Sequence, residues 1–254
     1  MRHTTLLLLA IHLIVSVGVF AQNKPDEVRR WAIDVHIGGN IVSGASFDNA
    51  DVPRYRMGPS SNTGLVSKFH FEYYMPKCPL SLKAGYEHEE LNYLKGDGGS
   101  DLNQLTLGGR WYPAPAQWKV CPYVGTDFFY AVDADRGPFQ MSSQLSWSNN
   151  GLSQTTYGYA AQGVAKAPRF SVGPIVGADI YLFSSVALQV EYGYRLGFDA
   201  SYRARYSEDG SSRTSEYHGQ LHRHVLSVGL KVAFPFHWTH DDWGGLLQGL
   251  LDNL

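Results

Sequence analysis

The clearest indication of the fold is in residues Phe170–Phe198, FSVGPIVGADIYLFSSVALQVEYGYRLGF. Large apolar side chains occupy every second position on either side of a break at about Phe183–Ser185. The positions between them carry mostly glycine, polar and charged residues. Because side chains on a β-strand point alternately to opposite faces, each half predicts a strand with one bulky apolar face and one small or polar face.

Six further segments show the same alternation, at about Trp31–Gly39, Leu65–Met75, Leu80–Glu89, Asn103–Pro113, Val120–Val132 and His222–Phe236. Each is about as long as the roughly 9–11 residues that a tilted transmembrane strand needs. Glycine weakens an exposed strand, yet the minor faces are rich in it, at Gly85, Gly108, Gly125, Gly173, Gly177, Gly193, Gly197 and Gly229. Small residues on that face fit the inside of a narrow barrel.

Aromatic residues and loop lengths give two further indications. Aromatic residues near the segment ends suggest girdles at two membrane interfaces, namely Trp31, Tyr73, Trp111, Tyr130, Phe198 and Phe236. Short connections (Pro76–Pro79, Ala114–Lys119, Phe183–Ser185) alternate with long ones (Asn40–Gly64, Glu90–Leu102, Asp133–Arg169, Asp199–Leu221). Short periplasmic turns and longer extracellular loops are typical of bacterial outer-membrane barrels.

Composition narrows the class of protein. The 254 residues include 21 Lys+Arg, 23 Asp+Glu, two Cys and 44% hydrophobic residues. These values exclude a disordered chain, a disulfide-dense scaffold and nucleic acid as the main partner. Residues 1–21 read as a signal peptide cleaved after Ala21, residues 22–30 as a periplasmic lead-in, 31–236 as the barrel and 237–254 as a tail. No later segment reaches 18 consecutive apolar residues, which leaves a soluble exported protein or a closed barrel.

The chain resembles the small outer-membrane β-barrel family that includes OmpX-like proteins and the OmpA membrane domain. One local match is sharper, in Ser227–Phe234, where SVGLKVAF looks like the polar-x-Gly-x-x-apolar-x-aromatic signal that the barrel-assembly machinery reads. The resemblance implies insertion by that machinery into outer-membrane lipid. In the family this strand usually ends the barrel chain, whereas here the sequence continues to Leu254.

The minor faces predict a lumen filled with mixed charge, from Asp34, Lys68, Glu72, Lys83, Glu87, Glu89, Arg110, Asp127, Asp179, Glu191, Arg195 and Lys231, with His36 and His70 beside them. An eight-stranded barrel encloses just enough space for side chains, so a structural network of ion pairs is the stronger interpretation and an acid–base site the weaker one. No catalytic, cofactor or metal site is predicted. The histidines near Ser227 suggest a lipid A-modifying enzyme only weakly, because His224 and Ser227 face opposite sides of a strand.

Basic residues suggest a surface for phosphate-bearing lipid such as lipopolysaccharide, or for a protein ligand. They are Arg203, Arg205, Arg213 and Arg223, in or beside the Asp199–Leu221 connection, which is expected to form a hairpin above the membrane. An ordinary solvated hairpin is the alternative. For the longest connection, Asp133–Arg169, the sequence allows a second surface-binding hairpin, a loop, or two extra strands. The extra strands would make a ten-stranded barrel, which is the less favoured interpretation.

Two features remain at the predicted periplasmic side. Cys78 and Cys121 form a candidate disulfide in an oxidising compartment, although two strand spacings exceed the reach of a bridge unless the turn leans inward. The tail carries an apolar helical face, made of Trp243, Leu246, Leu247, Leu250, Leu251 and Leu254.

The fold expected is therefore all-β, an eight-stranded antiparallel up-and-down transmembrane barrel followed by a short amphipathic helix. We expect an integral outer-membrane protein with a filled polar lumen and a non-enzymatic structural or surface-binding role. The alternatives are a narrow, porin-like pore for small solutes, a lipid A-modifying enzyme and a soluble secreted barrel.

Overall fold

The computed structural model describes residues 29–43, 45–50, 63–92, 99–114, 118–134, 136–149, 153–208 and 214–236. The predicted signal peptide, most of the lead-in, Arg213 and the whole predicted tail helix lie outside the described residues. Within the described ranges, no helix is long and apolar enough to cross a membrane.

The described residues form thirteen strands. They are β1 (Trp31–Val42), β2 (Ala45–Ala50), β3 (Thr63–Tyr74), β4 (Leu80–Asn92), β5 (Gly99–Trp111), β6 (Val120–Ala131), β7 (Arg136–Asn149), β8 (Ser153–Lys166), β9 (Phe170–Tyr181), β10 (Val186–Phe198), β11 (Ser201–Glu208), β12 (Thr214–Gln220) and β13 (Arg223–Phe234).

Eight of these strands close into one barrel in the order β1-β13-β10-β9-β6-β5-β4-β3, and β3 pairs with β1 to complete the ring. Every neighbouring pair is antiparallel, from β1 with β13 around to β3 with β4. The predicted eight-stranded barrel is confirmed. The sequence placed the ends of β1 and β4 too early and the start of β5 too late, since all three strands reach further toward the long connections.

The other five strands form a second sheet in the order β2-β12-β11-β8-β7, which we call the distal sheet. Each of its strands directly precedes or follows a barrel strand along the chain, so the distal sheet continues one side of the barrel wall. We call this end of the barrel the distal end, and the opposite end, with the three short connections, the turn end.

The described strands of two long connections therefore pair with each other within the distal sheet. β11 and β12 pair from Ser201 with Gln220 to Ser207 with Thr214, as predicted. β7 and β8 pair along their whole length, from Arg136 with Lys166 to Asn149 with Ser153. They join the distal sheet instead of widening the barrel to ten strands, because β8 pairs with β11 above the ring.

The barrel is apolar outside and polar inside. Ile37 is 63% exposed and Leu107 is 60% exposed on the outer face, although both are large apolar side chains. Asp34 and Lys83 are fully buried on the inner face. A barrel in water would show the opposite arrangement, with its bulky face inside and its polar face outside. The outer surface is therefore adapted to lipid, and the chain is an integral membrane barrel.

Aromatic rings border this apolar belt. The rings of Trp31 and Tyr73 lie 4.6 Å apart at the turn end, and those of Tyr130 and Phe170 lie 5.1 Å apart at the distal end. At about 3.3 Å per residue and a tilt of about 40°, the run from Trp31 to Ile41 rises about 25 Å. That height matches the apolar band of a membrane barrel.

Candidate functional site

Buried charged side chains are concentrated in the barrel lumen. All twelve charged residues predicted to face inward lie on the inner surface and are buried, namely Asp34, Lys68, Glu72, Lys83, Glu87, Glu89, Arg110, Asp127, Asp179, Glu191, Arg195 and Lys231. His36 and His70 are buried with them. Strict alternation on eight strands brings these residues together from distant parts of the chain.

Toward the turn end, Lys231 joins two carboxylates. Its Nζ lies 2.6 Å from Oε2 of Glu72 and 2.7 Å from Oδ2 of Asp179. The hydroxyl of Tyr112 donates to Oε1 of Glu72 at 2.7 Å, and Ser81 donates to the same oxygen. Each charge here is therefore paired and hydrogen-bonded, which is the condition for burying it.

Near the middle of the lumen, Asp34 is surrounded by donors. Its Oδ1 lies 3.0 Å from Nε2 of His36, 2.9 Å from Nδ1 of His70 and 3.2 Å from Nζ of Lys83. The second ring nitrogen of His70 lies 3.0 Å from Oε1 of Glu87, so His70 bridges two carboxylates from β1 and β4.

A third group crosses the lumen from β3 to β10. Glu191 accepts from Lys68 at 2.8 Å, from the Tyr123 hydroxyl at 3.0 Å and from Arg110 at 3.3 Å. Arg110 also makes a two-pronged contact with Asp127, whose Oδ2 lies 2.8 Å from Nη2. Bidentate arginine–carboxylate pairs of this kind add geometric specificity as well as energy. The network therefore holds opposite walls of the barrel together.

Toward the distal end, Glu89 is the centre of the network and Arg223 is its partner. Nε of Arg223 donates to Oε1 of Glu89 at 2.7 Å, and Nη1 of Arg195 donates to Oε2 at 2.8 Å. Asn40 and Gln104 donate to the remaining lone pairs at 2.9 and 2.8 Å. All four available acceptor directions of this buried carboxylate are therefore used.

The prediction that Arg223 lies on the binding surface is wrong. Arg223 is the first residue of β13, and its side chain is completely buried in the lumen. The parity that points Lys231 inward also points Arg223 inward, because an even number of residues separates them. The alternation of β13 therefore predicts that Arg223 faces the lumen. The described lumen then contains seven acids and six Lys or Arg side chains.

Uncharged polar partners were also missed by the sequence interpretation, which singled out only charged residues. Asn40, Gln104 and Gln189 satisfy carboxylates, and Gln189 donates to Oδ1 of Asp179 at 2.8 Å. Tyr112 and Tyr123 supply hydroxyl donors from β5's end and from β6. The alternation of their strands was the available signal, since a polar residue on an inward position must find a partner.

Glycine on the inner face makes room for the two histidine rings. A Cβ at Gly229 would lie 2.5 Å from Cγ of His36 and from the carbonyl oxygen of Val35, and one at Gly85 would lie 2.5 Å from Cδ2 of His70. The minor face is glycine-rich at these positions because the strands and rings leave no space for a side chain.

Gly229→Ala is therefore expected to lower the free energy of unfolding by about 1–3 kcal/mol, since overpacking displaces fixed groups. Gly39→Ala is the matched control, because a Cβ there meets only the carbonyl oxygen of Gly64 at 3.5 Å. Urea unfolding in lipid vesicles, followed by tryptophan fluorescence, measures both. Equal stability of the two variants would show that the lumen adapts freely around His36.

Both mouths of the barrel are closed. At the distal end an apolar cluster covers the network, comprising Val42, Leu91, Leu102, Ala131, Ala161, Ala165, Ala167, Ala200, Tyr202, Ala204, Tyr206 and Leu221. Burial raises the pKa of Tyr202 to about 12, so its phenol stays protonated. At the turn end the guanidinium of Arg29 lies 3.6 Å from the centre of the Tyr181 ring. Asp34, Lys83 and Glu89 are inaccessible to solvent between these closures.

Asp34, His36 and His70 place three potential ligand atoms within 4.8 Å of one another. The ammonium of Lys83 lies 3.2 Å from the same Asp34 oxygen, and Nε2 of His36 lies 2.6 Å from Oε1 of Gln189. A cation would therefore meet a positive charge and a ring nitrogen already facing an acceptor. The donor set fits a hydrogen-bonded cluster and does not fit a metal site.

The two cysteines are free thiols in the structure. Cys78 is exposed in the turn between β3 and β4, whereas Cys121 is buried on β6 and its Sγ donates to the carbonyl of Trp118 at 3.2 Å. Strand β5 lies between β4 and β6. The candidate disulfide is not formed, because the exposed turn does not lean into the lumen.

The residues considered for lipid A chemistry lie on opposite sides of the barrel wall. Ser227 points inward, where its hydroxyl lies 3.4 Å from Nδ1 of His36. His224 points outward, and the Tyr192 hydroxyl lies 2.7 Å from its Nδ1. An outward histidine cannot activate an inward serine, so this pair forms no nucleophile and base.

Of the residues predicted for surface binding, the structure places Arg203 and Arg205 on the outer face of the distal sheet. Both are exposed, while Tyr202 and Ala204 beside them face the apolar cluster. Arg205 pairs with Glu216 on β12, its Nε lying 2.6 Å from Oε1. Among the described residues, no carboxylate pairs with Arg203.

No family model matches this chain, and no curated protein matches it significantly. Among solved structures it is similar to neisserial surface protein A, at 15% identity and TM-score 0.46 over 80% of this chain and 97% of that one. It is also similar to a major outer membrane protein from Thermus thermophilus (15% identity, TM-score 0.38, 80% and 99% covered) and to the outer membrane protein OprG from Pseudomonas aeruginosa (13%, 0.35, 81% and 97%). Because every TM-score is below 0.5, the assignment to a membrane depends on this chain's own apolar belt and polar lumen.

Proposed function

We propose that this integral membrane barrel is a non-enzymatic protein of the outer membrane of a Gram-negative-type cell, closed to solutes, and that it acts through its distal sheet. The observation that carries the proposal is the lumen. Charged side chains from all parts of the ring are paired there and shielded from solvent, for example Lys231 with Asp179 and Glu89 with Arg223.

The orientation follows from loop lengths. The turn end faces the periplasm and the distal sheet faces the outside, as in bacterial barrels with short periplasmic turns. Export through a signal peptide cleaved after Ala21 and insertion by the barrel-assembly machinery complete this scheme. The Ser227–Phe234 signal lies on β13, the strand that closes the ring against β1.

The alternatives each meet a specific obstacle. A narrow pore needs a water path, but the apolar cluster at the distal mouth and the buried charges interrupt the lumen. A lipid A-modifying enzyme needs a nucleophile beside a base at a lipid-accessible position, and Ser227 and His224 lie on opposite faces of β13. The histidine that does lie near Ser227, His36 at 3.4 Å, is buried with it inside the lumen. A soluble barrel would expose side chains such as Ile37 and Phe128 to water at great cost.

Conductance of the purified, folded protein in a planar lipid bilayer tests the closed lumen. We expect no reproducible current steps, because breaking a buried ion pair to open a path costs several kcal/mol. A heat-modifiable gel shift on the same sample verifies that the protein is folded. Stable channels from folded protein would contradict the proposal and make solute transport the leading function.

A further inference from the structure

The outer face of the distal sheet carries a basic surface that no carboxylate among the described residues fully neutralises. We define the basic face as Lys166 on β8 together with Arg203 and Arg205 on β11, all exposed. We propose that the basic face binds the phosphate groups of lipid headgroups in the outer leaflet. This inference rests on the proposed surface role of the distal sheet, and it names the ligand.

Strand register brings the three cations together. Ser201 pairs with Lys166, and Arg203 pairs with Val164, so Lys166 and Arg203 are diagonal neighbours. Diagonal Cβ atoms in an antiparallel pair lie about 7–8 Å apart. Arg203 and Arg205 are two residues apart on one strand and on one face, about 7 Å along it. One phosphate can therefore lie within reach of two or three of these side chains.

A shallow cavity overlaps the part of this surface that Arg203 and Arg205 form. It has a volume of about 680 Å³, and its lining includes Arg203, Arg205 and Glu216. The lining also includes Gln140 opposite Gln162 on β7 and β8, together with apolar residues such as Pro138 and Val164. Amide and guanidinium donors beside an open cavity suit an oxygen-rich anionic group.

The charges of the basic face are incompletely paired. Glu216 pairs with Arg205, and Asp199 pairs with the neighbouring Arg136 at 3.0 Å. Within the part of the chain that the structure describes, Lys166 and Arg203 have no acidic partner. Neighbouring like charges repel one another, and an anion bound between them removes that repulsion. The arginine fork also matches phosphate with two parallel hydrogen bonds.

The height of the basic face favours a lipid source for the phosphate. Lys166 precedes the distal aromatic Phe170 by four residues, and Arg203 follows Phe198 by five. At about 3.3 Å per residue along tilted strands, the two cations lie about 10–13 Å beyond the aromatic girdle. Headgroups extend about 5–8 Å beyond the hydrocarbon, and long basic side chains reach toward an interface from outside it. The basic face is therefore within reach of headgroup phosphates.

The test compares the full-length folded protein with K166Q/R203Q for binding to purified lipopolysaccharide. We expect the double variant to lose affinity by about ten-fold or more, since hydrogen bonds between charged groups are the strong ones. Wild-type binding should weaken at high salt because these charges are exposed. Lipopolysaccharide whose lipid A phosphates have been removed enzymatically should bind the wild type no better than intact material binds the variant.

The matched control is R30Q/K119Q, which removes two exposed positive charges at the turn end and should bind like the wild type. An equal loss in this control would attribute binding to net charge and overturn the site. Full affinity of K166Q/R203Q for intact lipopolysaccharide would also overturn the site, as would full affinity of the wild type for dephosphorylated lipopolysaccharide. Displacement of lipopolysaccharide by low millimolar inorganic phosphate would overturn the lipid source. A failed binding test with a non-conducting barrel rejects only this site, whereas current steps reject the closed lumen.

Discussion

Glu89→Ala is expected to lower the free energy of unfolding by about 3–5 kcal/mol, because removing one partner of a buried ion pair leaves uncompensated charge. Glu89 is fully buried and accepts hydrogen bonds from Arg195, Arg223, Asn40 and Gln104. Without it, two guanidinium groups lose a carboxylate in a space that water does not reach. Urea unfolding in lipid vesicles, followed by tryptophan fluorescence, measures the change.

Glu216→Ala is the control for this prediction. Glu216 also pairs with an arginine, Arg205, but both side chains are partly exposed on the distal sheet. Exposed ion pairs contribute about 0–1 kcal/mol, so the free energy of unfolding of this variant should be close to that of the wild type. A Glu89 variant as stable as the Glu216 variant would show that water enters the lumen and solvates the two arginines.

Ile37→Arg is the second large expected effect, with a loss of about 2–4 kcal/mol in folding free energy in the membrane. Ile37 lies near the middle of β1 and faces outward with 63% of its surface exposed. An arginine there must leave water and enter the hydrocarbon. The measurement is the unfolding midpoint in lipid vesicles, with the fraction of heat-modifiable folded protein as a second readout.

Val132→Arg is the matched control in depth. Val132 is 61% exposed, as much as Ile37, but it lies directly beyond β6, past the aromatic ring of Tyr130. A charge near the interface costs about 0–1 kcal/mol in a membrane barrel. If both variants were equally stable, the outer surface would not be lipid-facing, and a soluble barrel would become the better interpretation.

In the lumen, alternation alone predicts which side chains face inward but not which of them pair. A period of two predicts the inward position of Lys231 and Glu89, because strand geometry fixes which face a residue occupies. It also specified Arg223, which the sequence interpretation assigned to the surface because it lies beside a long connection. The pairing of Glu89 with Arg223 joins residues from β4 and β13, and no local pattern identifies such partners.

In the distal sheet, local sequence patterns predict only part of the structure. The β11–β12 hairpin was predicted, but the alternation in β7 and β8 was too weak to separate a loop, a hairpin and two extra barrel strands. The pairing of Arg203 with Val164 and of Ser201 with Lys166 decides this. Those pairs depend on contacts between segments distant in sequence, and the same contacts assemble the basic face.

The eight alternating segments, the face that each of their side chains occupies and the apolar belt can all be predicted from the sequence, because these follow from period-two alternation and strand length. The pairing of the buried charges, the separation of Cys78 from Cys121 and the continuation of five strands beyond the ring as the distal sheet depend instead on tertiary contacts. Register and closure are properties of strand pairs. A single strand carries its own periodicity but not the identity of the residue opposite to it.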